Sequence, residues 1–189
     1  TSNGINCIDY KTKKITRFYP KSINKECTTN IINRLLKHSD GNVYAFCNRS
    51  VFKCSMNQTV ETVFPDIAIP SPTYSVAQAP DKDIYIGTES NGLYIYSENW
   101  KLKKHVPIDG IIATILPDNN GDIWLGLDET GICLFNKNKQ TFTWLHKDNT
   151  NLNNNSIRTF VSYGDSSILV GTFRGLNILN KKELTITPA

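Results

Sequence analysis

Short apolar runs separated by turn residues follow one another along the whole chain. Residues 118–135 (D-N-N-G-D-I-W-L-G-L-D-E-T-G-I-C-L-F) show the pattern most fully. Residues 119–121 tolerate a positive φ and favour a turn, and residues 123–125 are strand formers. Gly126 lies inside the strand, which is typical of a close backbone approach. The stretch is therefore predicted to form a turn, a strand, a second turn and a second strand.

This hairpin occurs four times. Its leading aspartates are 41, 37 and 47 positions apart, at Asp40, Asp81, Asp118 and Asp165. An apolar run precedes each copy, and a short alternating run follows the first three. The sequence thus predicts four short strands in each unit of about 40 residues, with almost nothing helical between them. That period and strand count are typical of a β-propeller blade, whereas a sandwich would not repeat itself.

Three features of the repeat predict how the blades pack. The first strand of each blade should line a central channel. A glycine in the second strand should let the next blade approach closely, and an aromatic residue should fill the space between blades. These positions are Gly87, Gly126 and Gly171 for the glycine, and Tyr44, Tyr85 and Trp124 for the aromatic residue. The first copy has Phe46 in place of the glycine, which we interpret as drift in a structural repeat.

The start of the chain matches the middle of a blade. Residues 3–8 resemble residues 91–96, so residues 1–20 are predicted to be a half blade. Four blades follow, at residues 28–65, 73–105, 110–146 and 155–187. The expected fold is an all-β propeller of four-stranded antiparallel blades, an incomplete segment of about four and a half blades from a longer array. Open sheet edges would then favour association.

The composition excludes several classes of protein. Hydrophobic residues make up 39% and charged residues 20% of the 189, and the net charge is only +4. Because no basic stripe is present, a nucleic-acid partner is not expected. No apolar run reaches the roughly 18 residues of a membrane span. The opening T-S-N-G favours a turn rather than a signal peptide.

The five cysteines form no metal-binding pattern, because no pair has the C-x-x-C spacing and no histidine lies nearby. The odd number leaves at least one thiol free in a monomer. Cysteines in strand-like runs usually behave as small buried hydrophobic residues. Cys47 and Cys54 flank one predicted hairpin, and a disulfide between them stays open at this point. No metal or cofactor is predicted. The cysteines are Cys7, Cys27, Cys47, Cys54 and Cys133.

Two stretches carry a resemblance to a known family. Residues 144–157 (W-L-H-K-D-N-T-N-L-N-N-N-S-I) combine an aromatic residue, a histidine and an Asn-rich loop that ends in L-x-x-N-x-I. Together with D-x-x-G-x-I-W-x-G-x-x-x-x-G-I at residues 118–132, this pattern resembles the two-component regulator propeller repeat. Leu127 stands where the family usually has threonine. The resemblance covers nearly the whole chain, but the first blade lacks both glycines.

The resemblance implies a sensor. Such repeats form the periplasmic region of histidine kinases, commonly the hybrid type of gut Bacteroidetes. In these, two propellers and an immunoglobulin-like domain precede a membrane helix and a cytoplasmic kinase. The implied signal is a glycan fragment, and the implied partners are the other blades and domains of the same protein and a second copy in a homodimer. Any kinase activity would lie outside this chain, which is itself expected to be non-enzymatic.

Ligands of a propeller gather mainly on the face that carries the second-to-third strand loops and the inter-blade loops. An aromatic side chain there could stack on a sugar ring, and an arginine could pair with a carboxylate or sulfate. This expectation rests on analogy between folds. The candidate ligand-binding residues are Arg49, Tyr74, Glu89, Asn91, Asp128, Glu129, Phe173 and Arg174.

Two alternatives remain open from the sequence. No nucleophile elbow or zinc-binding helix is present, and residues 118–122 lack the alternation and distal glutamate of a calcium loop. A propeller-fold lyase or hydrolase would require His105 or His146 to face the channel beside carboxylates. The other alternative is a purely structural scaffold for a partner domain.

Overall fold

The computed structural model describes residues 2–24, 27, 29–48, 50–55, 59–63, 69 and 71–189. A half blade comes first and contains β1 (Ile5–Ile8) and β2 (Ile15–Phe18). Helix α1 (Pro20–Ile23) follows it. Blade 1 contains β3 (Arg34–Lys37), β4 (Val43–Cys47), β5 (Ser50–Cys54) and β6 (Val60–Val63).

The other three blades repeat this order. Blade 2 contains β7 (Thr73–Gln78), β8 (Ile84–Thr88), β9 (Leu93–Tyr96) and β10 (Leu102–Val106). Blade 3 contains β11 (Ile112–Pro117), β12 (Asp122–Leu127), β13 (Gly131–Asn136) and β14 (Thr141–Leu145). Blade 4 contains β15 (Ile157–Tyr163), β16 (Ser167–Thr172), β17 (Gly175–Asn180) and β18 (Ile186–Pro188).

Each blade is an antiparallel sheet whose strands lie side by side in chain order. The first strands of consecutive blades, β3, β7, β11 and β15, lie next to one another. The predicted all-β fold of four-stranded antiparallel blades is therefore confirmed. The division of the chain at the predicted residue boundaries, as part of a longer array, stays a prediction.

The second strands of blades 2 and 3 are buried along nearly their whole length because both of their faces are covered. All five residues of β8 are buried, whereas only the last residue of β10 is buried. The second strand of such a blade is covered by a neighbouring blade on each side, whereas its fourth strand faces solvent. This difference accounts for the weaker apolar pattern of the fourth strand in the sequence.

Two of the three predicted glycines, Gly87 and Gly126, lie against the following blade. A Cβ atom on Gly87 would lie 2.6 Å from Ile112 Cγ2, and one on Gly126 would lie 2.5 Å from Ile157 Cγ2. Both isoleucines begin the first strand of the following blade. A Cβ atom on Gly171 would meet only Thr159 of its own sheet. Ser75 and Thr114 of the same sheets would be equally close, at 2.4 and 2.6 Å, so both the sheet and the following blade limit the space at Gly87 and Gly126.

The aromatic residues also lie between blades as predicted. Tyr44 packs in one apolar cluster with side chains of blade 2. Tyr85 packs with side chains of blade 3, and Trp124 packs with those of blade 4. Each aromatic side chain is at most 4% exposed. Burial of this size makes these residues major contributors to the stability of the blade interfaces.

Phe46 is buried in the apolar core between blades 1 and 2, which agrees with its interpretation as drift in a structural repeat. Strand register places Phe46 at the position of Gly87 and Gly126. The same register places Thr73 where the later blades have isoleucine. Phe46 and Thr73 are both fully buried. A large residue followed by a small one therefore replaces the pair of glycine and isoleucine, so the smaller Thr73 offsets part of the volume that Phe46 adds.

The structure excludes the disulfide between Cys47 and Cys54 that the sequence left open. Cys47 pairs with Ser50 beside the turn of the β4–β5 hairpin, while Cys54 pairs with Val43 at the other end. The two residues therefore lie at opposite ends of the same hairpin, beyond the reach of a disulfide. Cys133 is fully buried in β13, and burial raises the pKa of its thiol to about 12.

Candidate ligand-binding face

Antiparallel order brings two sets of loops to one end of the blades. The turns between second and third strands lie there, together with the connections that enter each first strand. We call this end the upper face, and the opposite end the lower face. All of the predicted ligand-binding residues that the structure describes belong to these loops or to the start of a first strand. Arg49 lies outside the described residues.

Tyr74 lies in a bulge near the start of β7. The register of β7 on β8 shifts between Thr73 and Ser75, and the Tyr74 side chain is 36% exposed. The same shift occurs in β11 around Ala113 and in β15 around Arg158. A bulge changes the direction in which a side chain points. One repeated position on the upper face is therefore occupied by three different residues, Tyr74, Ala113 and Arg158. Tyr74 lines a cavity of about 230 Å³ with Asn33, Arg34 and Thr73.

The turn of blade 3 and the bulge of blade 4 meet on the upper face. Arg158 Nη1 lies 3.1 Å from Asp128 Oδ2. Arg158 Cζ lies 5.3 Å from the centre of the Phe173 ring, at cation–π distance. Phe173 is 71% exposed, so its ring also presents a wide apolar surface to solvent. The structure thus joins two predicted residues, Asp128 and Phe173, through an arginine that the sequence did not single out.

A polar cleft adjoins this group. Glu129 has a φ of 65°, and its backbone N–H donates to Ser156 Oγ at 3.2 Å. The backbone N–H of Lys147 donates to Asn155 Oδ1 at 2.8 Å. Together with Asn154, these four residues line a cavity of about 210 Å³. The cleft offers carboxylate, ammonium, amide and hydroxyl groups to a ligand.

The sequence did not propose Arg158, Lys147 or Asn155 as site residues. One feature of the sequence could have identified Arg158, because it stands at the same repeat position as Tyr74, which was proposed as a ligand-binding residue. Lys147 and Asn155 belong to the Asn-rich loop that carries the family resemblance. In the sequence that loop is a signature of the repeat, and in the structure it also supplies the wall of the cleft.

Other predicted residues are held in place by their own blades. The Asn91 amide donates to the Tyr94 hydroxyl at 2.9 Å, and the Asn91 carbonyl oxygen lies 2.7 Å from His105 Nε2. Glu89 is exposed at the turn, where its N–H donates to Pro72 O. Arg174 is also exposed, in the turn after β16. The structure does not join them to the Arg158 group, and their role in binding stays a prediction.

The lower face carries a larger groove of about 730 Å³, beside Asp118 and Lys181. Lys181 Nζ lies 2.9 Å from Asp118 Oδ2 of the preceding blade. Burial tends to raise the pKa of Asp118, but the ion pair with Lys181 and the backbone N–H of Asn119 outweigh it, so the pKa lies below its usual value. Lys137 pairs with Asp81 in the same way one blade earlier.

A contact that recurs from blade to blade indicates a structural role. The lower-face ion pairs recur, and they join the end of one third strand to the leading turn of the previous blade. The pair of Arg158 with Asp128 does not recur, because Ala113 stands at the corresponding position of blade 3. We therefore place the candidate site on the upper face, although the larger groove is on the lower face.

His105 and His146 lie at the outer strands of their blades, whereas His38 directly follows β3 and is buried against aromatic side chains. His38 is 4% exposed, and its ring lies 5.0 Å from the ring of Tyr44. His105 belongs to the outer strand β10 and stacks on Tyr94 at 4.3 Å. His146 follows the outer strand β14, with its Nδ1 3.6 Å from Asp148 Oδ2. None of them meets the requirement for a catalytic histidine that faces the channel.

Within the part of the chain that the structure describes, no group of three His, Cys, Asp or Glu side chains could hold a metal ion. None of the helices in that part of the chain is long and apolar enough to cross a membrane.

No protein-family model matches the chain, and no curated protein sequence matches it. Solved structures do. The extracellular domain of BT4673 from B. thetaiotaomicron, a proposed one-component system, has a TM-score of 0.77 and 19% identity over 94% of this chain and 25% of that one. The extracellular domain of BT3049 from the same organism, a proposed hybrid two-component system, has a TM-score of 0.73 and 24% identity over 97% and 25%.

An enzyme is also similar in fold. A catalytically inactive variant of virginiamycin B lyase from Staphylococcus aureus, solved with quinupristin, has a TM-score of 0.72 and 17% identity over 100% of this chain and 63% of that one. At these identities the comparisons establish a shared fold. This chain spans only about a quarter of the length of each of the two extracellular domains.

Proposed function

We propose that this chain is a ligand-sensing, extracytoplasmic propeller segment of a two-component sensor. The fold is shared with the extracellular domains of BT4673 and BT3049. The repeat motif at residues 144–157 supports the same class. The kinase that receives the signal lies outside this chain, and the location follows as the periplasm. Signalling proceeds through movement relative to other blades and domains of the full-length protein, which acts as a homodimer.

The proposed ligand is an oligosaccharide that binds the upper face. The observation that carries this proposal is the group formed by Asp128, Arg158 and Phe173. An exposed ring beside an arginine offers a stacking surface next to guanidinium N–H groups that could bind a carboxylate or sulfate in exchange for the contact with Asp128. The adjoining cleft at Glu129 and Lys147 supplies donors and acceptors for sugar hydroxyls. An acidic oligosaccharide matches both halves of this surface.

Calorimetric titration of the 189-residue chain tests the proposal. The panel should contain neutral, carboxylated and sulfated oligosaccharides of matched length. We expect binding by at least one acidic member of the panel. Arg158→Ala should weaken this binding by about 10- to 100-fold, the worth of a charge-assisted hydrogen bond. Phe173→Ala should weaken it by about 2- to 10-fold through loss of stacking.

Matched controls lie on the half blade. Arg17 is an exposed arginine that bonds to Asn6, and Tyr10 is an aromatic residue that is 85% exposed. Their alanine variants should bind as the parent does. Failure of every oligosaccharide would contradict glycan sensing. Equal losses in the control variants would contradict the upper-face site.

A propeller lyase is the second candidate, because virginiamycin B lyase shares the fold over the whole of this chain. Its support is weaker, since His105 and His146 lie at the outer edge of their blades. Loss of quinupristin on incubation with the chain, followed by chromatography, would favour it over the sensor.

A further inference from the structure

Two cysteines from separate parts of the chain meet in the core of blade 1. Cys27 follows helix α1, in the connection that leads into blade 1, and Cys47 ends strand β4. Their Sγ atoms lie 3.2 Å apart. Cys27 is 6% exposed and Cys47 is fully buried. Of the free cysteines in the structure, these two therefore form a buried pair in van der Waals contact.

The surroundings of the pair are apolar. Cys27 and Cys47 belong to one cluster with Ile5, Ile32 and Phe52. Each Sγ lies 3.2 Å from the carbonyl oxygen of Thr29, which accepts a hydrogen bond from both thiols. A thiol is a weak hydrogen-bond donor, so this carbonyl does little to hold two thiols side by side. A disulfide would need the sulfur atoms to approach by only about 1 Å.

We propose that Cys27 and Cys47 form a disulfide when the chain folds in the presence of a disulfide oxidant. One thiol loses its proton, and its thiolate attacks a sulfur of the oxidant to form a mixed disulfide and release one thiolate. The second thiolate then attacks the protein sulfur of that mixed disulfide and releases the other. The two cysteine thiols lose two electrons and two protons in total, and the oxidant is reduced to two thiols.

The bond would link the connection between the half blade and blade 1 to strand β4. Residues 1–20 contribute two strands, which pair with each other, so the half blade is joined to blade 1 by packing and by the chain between them. The cross-link would close a loop of about 20 residues that contains the second part of this connection and strand β3, which restricts the unfolded chain. The proposal does not depend on ligand sensing, and binding experiments leave it unaffected.

Peptide mapping tests the bond directly. The 189-residue chain is refolded in a mixture of oxidised and reduced glutathione, its free thiols are blocked, and it is digested with trypsin. Cleavage after Lys25, Arg34, Lys37 and Arg49 places Cys27 in residues 26–34 and Cys47 in residues 38–49. We expect these two peptides to be linked until reduction, with the other three cysteines blocked. Five blocked thiols, or a link between other cysteines, would overturn the proposal.

Thermal unfolding adds a second readout. The parent should lose about 5–10 °C in Tm when a reductant is added, the effect of opening a loop of this length. Cys27→Ala and Cys47→Ala should each abolish this dependence on the reductant. Cys133→Ala, which removes a buried thiol of blade 3, should retain it. A parent Tm that is the same with and without reductant would also overturn the proposal.

Discussion

At the scale of single residues, the identity of a strand residue is set by the neighbouring blade as much as by its own sheet. Gly126 is glycine because the side chain of Ile157 occupies the space that a Cβ atom would need. Phe46 stands at the same repeat position, since the following blade there begins with the smaller Thr73. A glycine within a strand weakens it in isolation, so the closer packing between blades must outweigh that cost.

Gly126→Ala should therefore lower the free energy of unfolding by about 1–3 kcal/mol, through overpacking against Ile157. Gly171→Ala is the matched control, because its added Cβ would meet only Thr159 of its own sheet, at 2.7 Å. Gly171→Ala should lower the free energy of unfolding clearly less than Gly126→Ala does. Chemical denaturation of the two variants measures the difference, and equal losses would show that contact within the sheet is the cause. Addition of Ile157→Val to Gly126→Ala should recover part of the loss.

At the scale of elements, each blade is joined to its neighbour by apolar packing and by a polar contact on the lower face. Lys181, just after β17, pairs with Asp118 in the leading turn of blade 3. Lys137, just after β13, pairs with Asp81 in the leading turn of blade 2. The recurrence follows from the topology, because the end of the third strand and the turn after the first strand lie at the same end of every blade.

The pair of Lys181 and Asp118 should make stability depend on pH. The folded-state pKa of Asp118 is lower than its ordinary value of 3.8. Its contribution is therefore complete above about pH 4 and is lost as the pH falls through the folded pKa. Lys181→Met should cost about 1 kcal/mol at pH 7, because the two side chains are only 20% and 16% exposed.

Urea denaturation at pH 7 and at pH 2 checks this expectation. The gap between the parent and Lys181→Met should shrink at the lower pH, because protonation of Asp118 removes the ion pair. Lys182→Met removes the adjacent exposed lysine and should change stability little at either pH. A gap of the same size at both pH values would show that the lysine stabilises by packing instead.

At the scale of the whole molecule, the blades form an arc in which neighbours share their interfaces. Strands β8, β9 and β12 are buried along nearly their whole length, since blades 2 and 3 have a blade on either side. Strands β16 and β17 alternate between buried and partly exposed residues. Val161 in β15 is 54% exposed and Leu176 in β17 is 44% exposed.

Native-state hydrogen exchange should follow this gradient, because each repeat is stabilised mainly by its immediate neighbours. The backbone amides of β8, β9, β12 and β13 are expected to be the most protected. Those of β16 and β17 should exchange at least 10-fold faster. The compared strands have the same antiparallel hydrogen-bond pattern, so a difference in exchange rate between blades would not come from that pattern. Uniform protection across all blades would instead indicate that the chain unfolds as one cooperative unit.

Much of the fold could be predicted because its signals are local. The strand pattern, the turn residues and the spacing of Gly87 and Gly126 all repeat within about 40 residues. The candidate binding site was harder to predict from local sequence patterns. Asp128 and Phe173 were proposed correctly as loop residues on one face, but their connection through Arg158 was missed. Arg158 lies in a strand by its pattern, and only the bulge of β15 turns it towards the loops.

The sequence by itself determined that this protein is a series of four-stranded blades, with glycine and aromatic positions at the blade interfaces. Those features follow from strand periodicity and turn chemistry, which act between residues close together in the chain. Only the tertiary structure decided that Asp128 meets Arg158, that Thr73 offsets part of the volume of Phe46 and that Cys27 lies against Cys47. Such contacts join residues 20 or more positions apart, and they depend on how each blade is rotated and packed on the next.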